Sequence, residues 1–187
     1  GPVMALEKDS ELIHWLREEF SGLSVIHGDG LEFCWEGTNR LEGLGIIGNL
    51  PYNVASPMIW EIVSRAQSWR SLVFMVQKEV AERLAAAPGT RAYGALSAWV
   101  GNFAKVEYVF TVPPHVFKPQ PKVDSAVVRF APLDDPAWKE RKALSWLLKI
   151  LFQMRRKQLG TILKRYWSAE VDGWCAEHGL DRTIRPE

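Results

Sequence analysis

The chain has 187 residues, 47% of them hydrophobic, and a formal net charge of +1, so a packed core can form. No apolar run reaches the roughly 18 residues of a membrane helix, and no basic segment followed by an apolar one marks the N-terminus as a secretory signal. The two cysteines, Cys34 and Cys175, are too few and too far apart for a disulfide framework or a metal-ligand motif, which points to a reduced, cytoplasmic protein that uses no metal and no membrane.

In chain order, Val3 to Leu6 is a short apolar run ending at Glu7-Lys8-Asp9, read as a strand entering a loop. From Ser10 the apolar positions Leu12, Ile13, Leu16 and Phe20 recur at helical spacing, with Asp9 or Ser10 as N-cap. Leu23 to Ile26 reads as a second strand, stopped by Gly28-Asp29-Gly30, and Leu44 to Gly48 as a third, ending at Asn49-Leu50-Pro51-Tyr52. Ser56-Pro57 opens a helix. Leu72 to Val76 is a fourth strand, followed by helices over about Lys78 to Ala87 and Ala95 to Phe103. Val106 to Val112 and Val123 to Phe130 are β-rich runs joined by a Pro-rich loop. Strands alternating with helices predict a mainly parallel sheet covered on both faces, with the last two strands as an antiparallel edge.

Pro132 to Pro136 reads as a linker, dividing a catalytic domain, 1–132, from a small all-α domain, 137–187. In the second part Trp146, Leu147, Ile150, Leu151 and Met154 fit one helix face, and Leu159, Ile162, Leu163 and Tyr166 another. Trp15, Trp60 and Trp146 all fall on apolar helix faces and are read as packing residues.

The small net charge conceals a division: residues 1–138 sum to −4, residues 139–165 to +8 and residues 166–187 to −3. A basic block of this kind suggests a polyanion-binding face, densest at Arg155-Arg156-Lys157, although a solvated helix face has the same composition.

Ligands of open α/β sheets sit beyond the carboxyl ends of the strands, and Glu7, Asp29 and Asn49 all stand at such ends. One carboxylate can accept from two ribose hydroxyls and a second from an adenine amine; Asp29 and Asn49 are equally at home in ordinary turns. The Asn49-Leu50-Pro51-Tyr52 loop is more specific. The Asn49 side-chain oxygen and the Leu50 carbonyl can accept from the hydrogens of an amino group. Pro51 stiffens the turn, and Tyr52 offers a face for a base taken out of its stack.

Three blocks then carry a resemblance: Asn49-Leu50-Pro51-Tyr52, Gln77-Lys78-Glu79-Val80-Ala81-Glu82-Arg83-Leu84, and Val116-Phe117-Lys118-Pro119-Gln120-Pro121-Lys122-Val123-Asp124-Ser125-Ala126-Val127. They are similar to consecutive motifs of the ribosomal RNA adenine N6,N6-dimethyltransferase family, and the likeness covers most of residues 3–167. The third block resembles the small-subunit branch. The resemblance implies an α/β, class I (Rossmann-like) methyltransferase fold, S-adenosyl-L-methionine as methyl donor, and dimethylation of two adjacent adenines near the 3′ end of small-subunit (16S) rRNA in a pre-30S particle. By the same resemblance Glu7, with Lys8 beside it, is the ribose-binding acid, and Asp29 with Gly30 holds the cofactor adenine. Asn49, Leu50, Pro51, Tyr52 and Phe117 form the catalytic set: Asn49, which also borders the cofactor together with Lys8, and Leu50 accept from the target amine, and Tyr52 and Phe117 sandwich the target base. Lys118 and Lys122 join Arg155, Arg156 and Lys157 as RNA contacts.

The family places a strand and a Gly-x-Gly-x-Gly loop before the Glu7 strand, whereas six residues precede Glu7 here; its helical end also runs further. The expectation is a sheet without its first strand, a helical part incomplete at its end, and weak cofactor binding by this chain. Two rivals remain open: a non-catalytic rRNA-binding assembly factor, and a large-subunit rRNA adenine N6-methyltransferase.

Overall fold

A computed structural model describes residues 1–187. The N-terminal apolar runs form two short strands, β1 (Met4–Glu7) and β2 (Ser24–His27). They pair in parallel, with Glu7 opposite His27. Between them runs α1 (Ser10–Glu19), capped by Asp9, whose Oδ1 accepts from the backbone N–H of Glu11 at 2.8 Å and of Leu12 at 3.3 Å. The expected apolar face of α1 is only partly used: Ile13 is buried, but Leu12 and Phe20 are exposed. A two-stranded sheet is too narrow to cover a whole helix face.

The remaining strands are β3 (Leu44–Asn49), β4 (Trp69–Gln77), β5 (Ala104–Val112) and β6 (Ser125–Pro132). They form a second sheet in the order β3-β4-β6-β5. β3 and β4 are parallel; β6 is antiparallel to both β4 and β5. The last two strands therefore make the expected antiparallel edge, with β6 inside and β5 outermost. β3 pairs on one side only and has no partner in β1; its residues alternate between a partly buried and an exposed face, and Ile47, on the latter, is 83% exposed.

Three helices lie against this sheet: α2 (Ala55–Arg65), α3 (Lys78–Leu84) and α4 (Ala95–Gly101). Ala55, Ile59, Ile62 and Val63 recur at helical spacing and are the buried face of α2. With Leu72, Phe74, Val76, Trp99, Phe103, Val128 and Phe130 they belong to a cluster of 22 buried residues. Trp60 stacks on Trp99 at 4.1 Å between ring centroids; of the three tryptophans read as packing residues, only this one is packed. Trp15 and Trp146 are half exposed.

Beyond the linker come α5 (Arg141–Gln153), α6 (Leu159–Ile162) and α7 (Ala169–Glu177). The linker is pinned to the sheet half at both ends. Leu133 N–H donates to the Phe103 carbonyl and Ala137 N–H to the Asn102 carbonyl, each at 3.0 Å. The buried face of α5 differs from the expected one. Leu148 is buried with Leu144 and Phe152 packed beside it, while Trp146 and Met154 are exposed. This helix is apolar on most sides, so two overlapping stripes exist in its sequence. Docking on the rest of the chain chooses between them: Arg141 reaches Glu36 at 3.2 Å, and Glu36 also binds Arg65 of α2 at 2.9 Å.

Candidate functional site

Parallel pairing brings the carboxyl ends of β1 and β2 together, so Glu7 and the Gly28-Asp29-Gly30 turn are neighbours. Glu7 Oε1 accepts from the backbone N–H of Lys8 at 2.7 Å and of Asp9 at 2.8 Å. Its Oε2 has no partner in the chain, so the carboxylate is oriented and still has a free acceptor. Asp29 Oδ1 accepts from Leu31 N–H at 2.9 Å, and its Oδ2 is bound by Lys8 Nζ at 2.7 Å. The hydrogen bond from Lys8, then the one from Leu31, hold the Asp29 carboxyl below the usual carboxylate range. Lys8, expected among the cofactor-binding residues, has its ammonium in an ion pair with Asp29. His27 Nε2 lies 3.2 Å from the Lys8 carbonyl and ties the two turns further. At Gly30 an added Cβ would meet the Met58 Cε at 2.5 Å, so the end of the Met58 side chain packs directly on the Gly30 backbone.

Asn49 ends β3 and is exposed, and its side chain makes no hydrogen bond within the chain. Leu50 turns its side chain into the core and donates its N–H to the Met75 carbonyl at 3.1 Å. Its own carbonyl accepts nothing from the chain. Pro51 closes the turn by accepting from Val54 N–H at 3.1 Å and Ala55 N–H at 2.9 Å, which starts α2. Two carbonyl acceptors without a partner in the chain, the exposed Asn49 side chain and the Leu50 backbone carbonyl, therefore belong to consecutive residues at the end of a fixed strand.

The half-buried Tyr52 is anchored from across the sheet. Its hydroxyl lies 2.6 Å from Ser125 Oγ, and Ser125, the first residue of β6, is 0% exposed. The sequence shows Ser125 only as part of a motif; the one signal of its role is a hydroxyl at the start of a buried strand. Phe117 is half-buried and contacts no other ring; it ends a 3-10 turn in the loop between β5 and β6, with its N–H bonded to Pro114 at 3.1 Å. Lys118 and Lys122 are exposed in the same loop. The loop's far end is braced by Lys78, whose N–H donates to the Asp124 carbonyl at 3.0 Å and whose Nζ is 3.5 Å from the Asp124 carboxylate. A cleft of about 520 Å³ opens here, lined by Gln77, Lys78, Glu79, Lys122 and Asp124 among others.

The basic residues proposed for RNA contact are not alike. Arg155 binds Glu187 through Nε at 3.0 Å, the Tyr93 carbonyl through Nη1 at 3.1 Å and the Arg91 carbonyl through Nη2 at 3.3 Å. It clasps the helical part to the α3–α4 connection. Arg156 and Lys157 are exposed and make no ion pair.

Residues 2–185 match the family model described as ribosomal RNA adenine dimethylase. The chain belongs to the ribosomal RNA adenine dimethylase family. Among its relatives, a ribosomal RNA small subunit methyltransferase A from Nitratidesulfovibrio vulgaris is 48% identical, over 100% of this chain and 73% of that protein. One of the same description from Oleidesulfovibrio alaskensis is 53% identical over 87% of this chain and 58% of that protein. A dimethyladenosine transferase from Plasmodium falciparum superposes with a TM-score of 0.67 at 28% identity, over 98% of this chain and 69% of that one. The 23S rRNA methyltransferase ErmE shares the fold, with a TM-score of 0.68 at 23% identity over 97% of this chain and 74% of that one. The α/β methyltransferase sheet with a helical C-terminal part is thus the fold of this adenine dimethylase family. No helix is long and apolar enough to cross a membrane, and no cluster of three or more His, Cys, Asp or Glu has metal-holding geometry.

Proposed function

We propose that this chain carries the methyl-transfer site of a small-subunit rRNA adenine N6,N6-dimethyltransferase. It acts on two adjacent adenines near the 3′ end of 16S rRNA, within a pre-30S particle in the cytoplasm. The observation that carries this reading is the pair of free acceptors, the Asn49 side-chain oxygen and the Leu50 carbonyl, beside a tyrosine whose ring is anchored through its hydroxyl.

The residues at the ends of β1 and β2 fit S-adenosyl-L-methionine. Glu7 Oε2 suits a ribose hydroxyl, and the Asp29 carboxylate suits an adenine amine. When bound, that cofactor supplies an electrophilic methyl group. The chain's own part is to present the nucleophile. Asn49 and Leu50 accept from the two hydrogens of the adenine amine and so direct its lone pair away from themselves. As neutral acceptors aimed at a nitrogen that becomes positive, they also stabilise the charge developed in transfer. Tyr52 and Phe117 supply stacking faces for the extruded base. Neither acceptor is basic, so the amine proton passes to water. Arg156, Lys157, Lys118 and Lys122 are placed to meet phosphates.

The test is Asn49→Ala in the gene encoding this chain, in cells whose small-subunit rRNA depends on it. Primer extension should show both adenines unmethylated, while the purified variant keeps the melting temperature of the unaltered protein. Near-normal methylation would remove Asn49 from the mechanism. Modification found on large-subunit rRNA instead would reassign the substrate.

A further inference from the structure

No Asp or Glu occurs between Glu140 and Glu170, yet the cations of this stretch are not equivalent. Arg141 and Arg155 are occupied by carboxylates and carbonyls of the chain. Lys142, Lys149, Lys164 and Arg165 are exposed and have no ion-pair or hydrogen-bond partner. Trp146 and Tyr166 lie close to these four along the chain. Trp146 is 49% exposed and Tyr166 52%. Their rings meet edge to face, 5.1 Å between centroids and 83° between planes. Lys142 and Lys149 lie four residues before and three residues after Trp146 on α5, so all three share one face of the helix. Lys164 and Arg165 immediately precede Tyr166.

We infer that Trp146 and Tyr166 form a stacking platform for unpaired bases of RNA, with Lys142, Lys149, Lys164 and Arg165 holding the phosphates on either side. A half-exposed tryptophan contributes little to folding through its outer face, and the helix already has a buried stripe in Leu144, Leu148 and Phe152. The edge-to-face contact fixes both rings before anything binds, so little side-chain entropy is lost on stacking. Flat π surface bordered by unpaired cations matches single-stranded nucleic acid, where base stacking and phosphate attraction act together. An acidic protein would satisfy the cations and leave the rings idle. A bilayer would need a broad apolar face, and here cations interrupt the aromatic surface. This inference rests on the reading that the chain acts on rRNA, and it puts the centre of RNA contact in the helical part at the aromatic pair rather than at Arg155.

The experiment measures binding of labelled oligoadenylate, of inorganic polyphosphate, and of vesicles containing anionic lipid. Polyphosphate has the charge of RNA without bases. Trp146→Ala and Tyr166→Ala should each weaken oligoadenylate binding about tenfold, the loss of one stacked base, and leave polyphosphate binding unchanged. Trp146→Phe, which keeps a ring, should retain most of the affinity. Lys142→Gln with Lys149→Gln should weaken both ligands and flatten the salt dependence. The platform is overturned if the alanine variants bind oligoadenylate as tightly as the unaltered chain. It is also overturned if they lose polyphosphate in equal measure, or if vesicles are bound in preference to oligoadenylate. An unaltered chain that binds neither RNA nor polyphosphate would overturn the rRNA reading itself.

Discussion

The β1–β2 sheet and the β3-β4-β6-β5 sheet each present one half of the site, and they are built to different standards. None of the 22 residues of the main core cluster lies before Trp35. The Glu7 and Asp29 carboxylates are held by hydrogen bonds from Lys8 and the local backbone, over a sheet whose one helix buries only Ile13. Asn49, Leu50 and Tyr52 sit instead on a four-stranded sheet with Phe74, Phe130 and Ile59 fully enclosed beneath it. The acceptors proposed for the target amine are thus anchored in a rigid body, and the carboxylates proposed for the cofactor ride on a lightly packed one. Exchange of ligand is easier where packing is thin.

The largest effect expected from this contrast is in stability. Phe74→Ala or Phe130→Ala should cost about 3–5 kcal/mol, as for other large aromatics removed from a closed core. Ile13→Ala should fall nearer the lower end of the roughly 2–5 kcal/mol typical of its kind and leave the four-stranded sheet intact. Hydrogen exchange should show the amides of β1 and β2 opening well before those of β4 and β6. Equal protection of β1 and β4 would break the comparison.

A smaller effect belongs to the Tyr52–Ser125 bond. Tyr52→Phe strands a buried serine hydroxyl, and Ser125→Ala strands a half-buried phenol, at about 1–3 kcal/mol each. Because both remove the same bond, the double variant should be more stable than the sum of the two losses implies. Additive losses in denaturant titrations would mean that the hydroxyls are not coupled.

Smaller again is the contrast within the basic block. Arg155→Gln should lower the melting temperature by loosening the clasp on Tyr93, Arg91 and Glu187. Arg156→Gln with Lys157→Gln should change stability by no more than about 0.5 kcal/mol and should alter only the salt slope of RNA binding. A reversal of these two outcomes would exchange the roles assigned to them.

The smallest effect is on pH. Burial alone would raise the Glu36 carboxyl, but a backbone hydrogen bond and the Arg65 and Arg141 guanidiniums outweigh it and hold it below its ordinary value. A depressed folded-state pKa means that the stabilisation is fully present above the ordinary carboxylate value and is lost as pH falls through the folded one. The attachment of α5 to α2 should therefore weaken only below about pH 4. Glu36→Gln should lower the melting temperature at neutral pH and remove that acid step.

Much of the chain order was legible from local pattern. Alternating apolar runs marked six strands, Asp9 marked a cap, and Asn49-Leu50-Pro51-Tyr52 marked the loop with the free acceptors. These features depend on neighbours in sequence, so local chemistry is enough to specify them. The helical part was less legible. The stretch from Ala143 to Phe152 is apolar nearly all round, and periodicity cannot say which stripe faces inward.

By itself the sequence determined which residues can do chemistry: the carboxylates after β1 and β2, the carbonyl acceptors after β3, and the cations of 139–165. Tertiary structure alone decided which of them are free to do it. It joined Tyr52 to Ser125 across 73 positions, closed Lys8 onto Asp29, spent Arg155 on a clasp while leaving Arg156 unpaired, and turned Trp146 outward with Tyr166 beside it. The physical reason is that a side chain's partners are set by which surfaces the core brings together, and burial of Leu148 rather than Trp146 is a property of the whole packing, not of any segment.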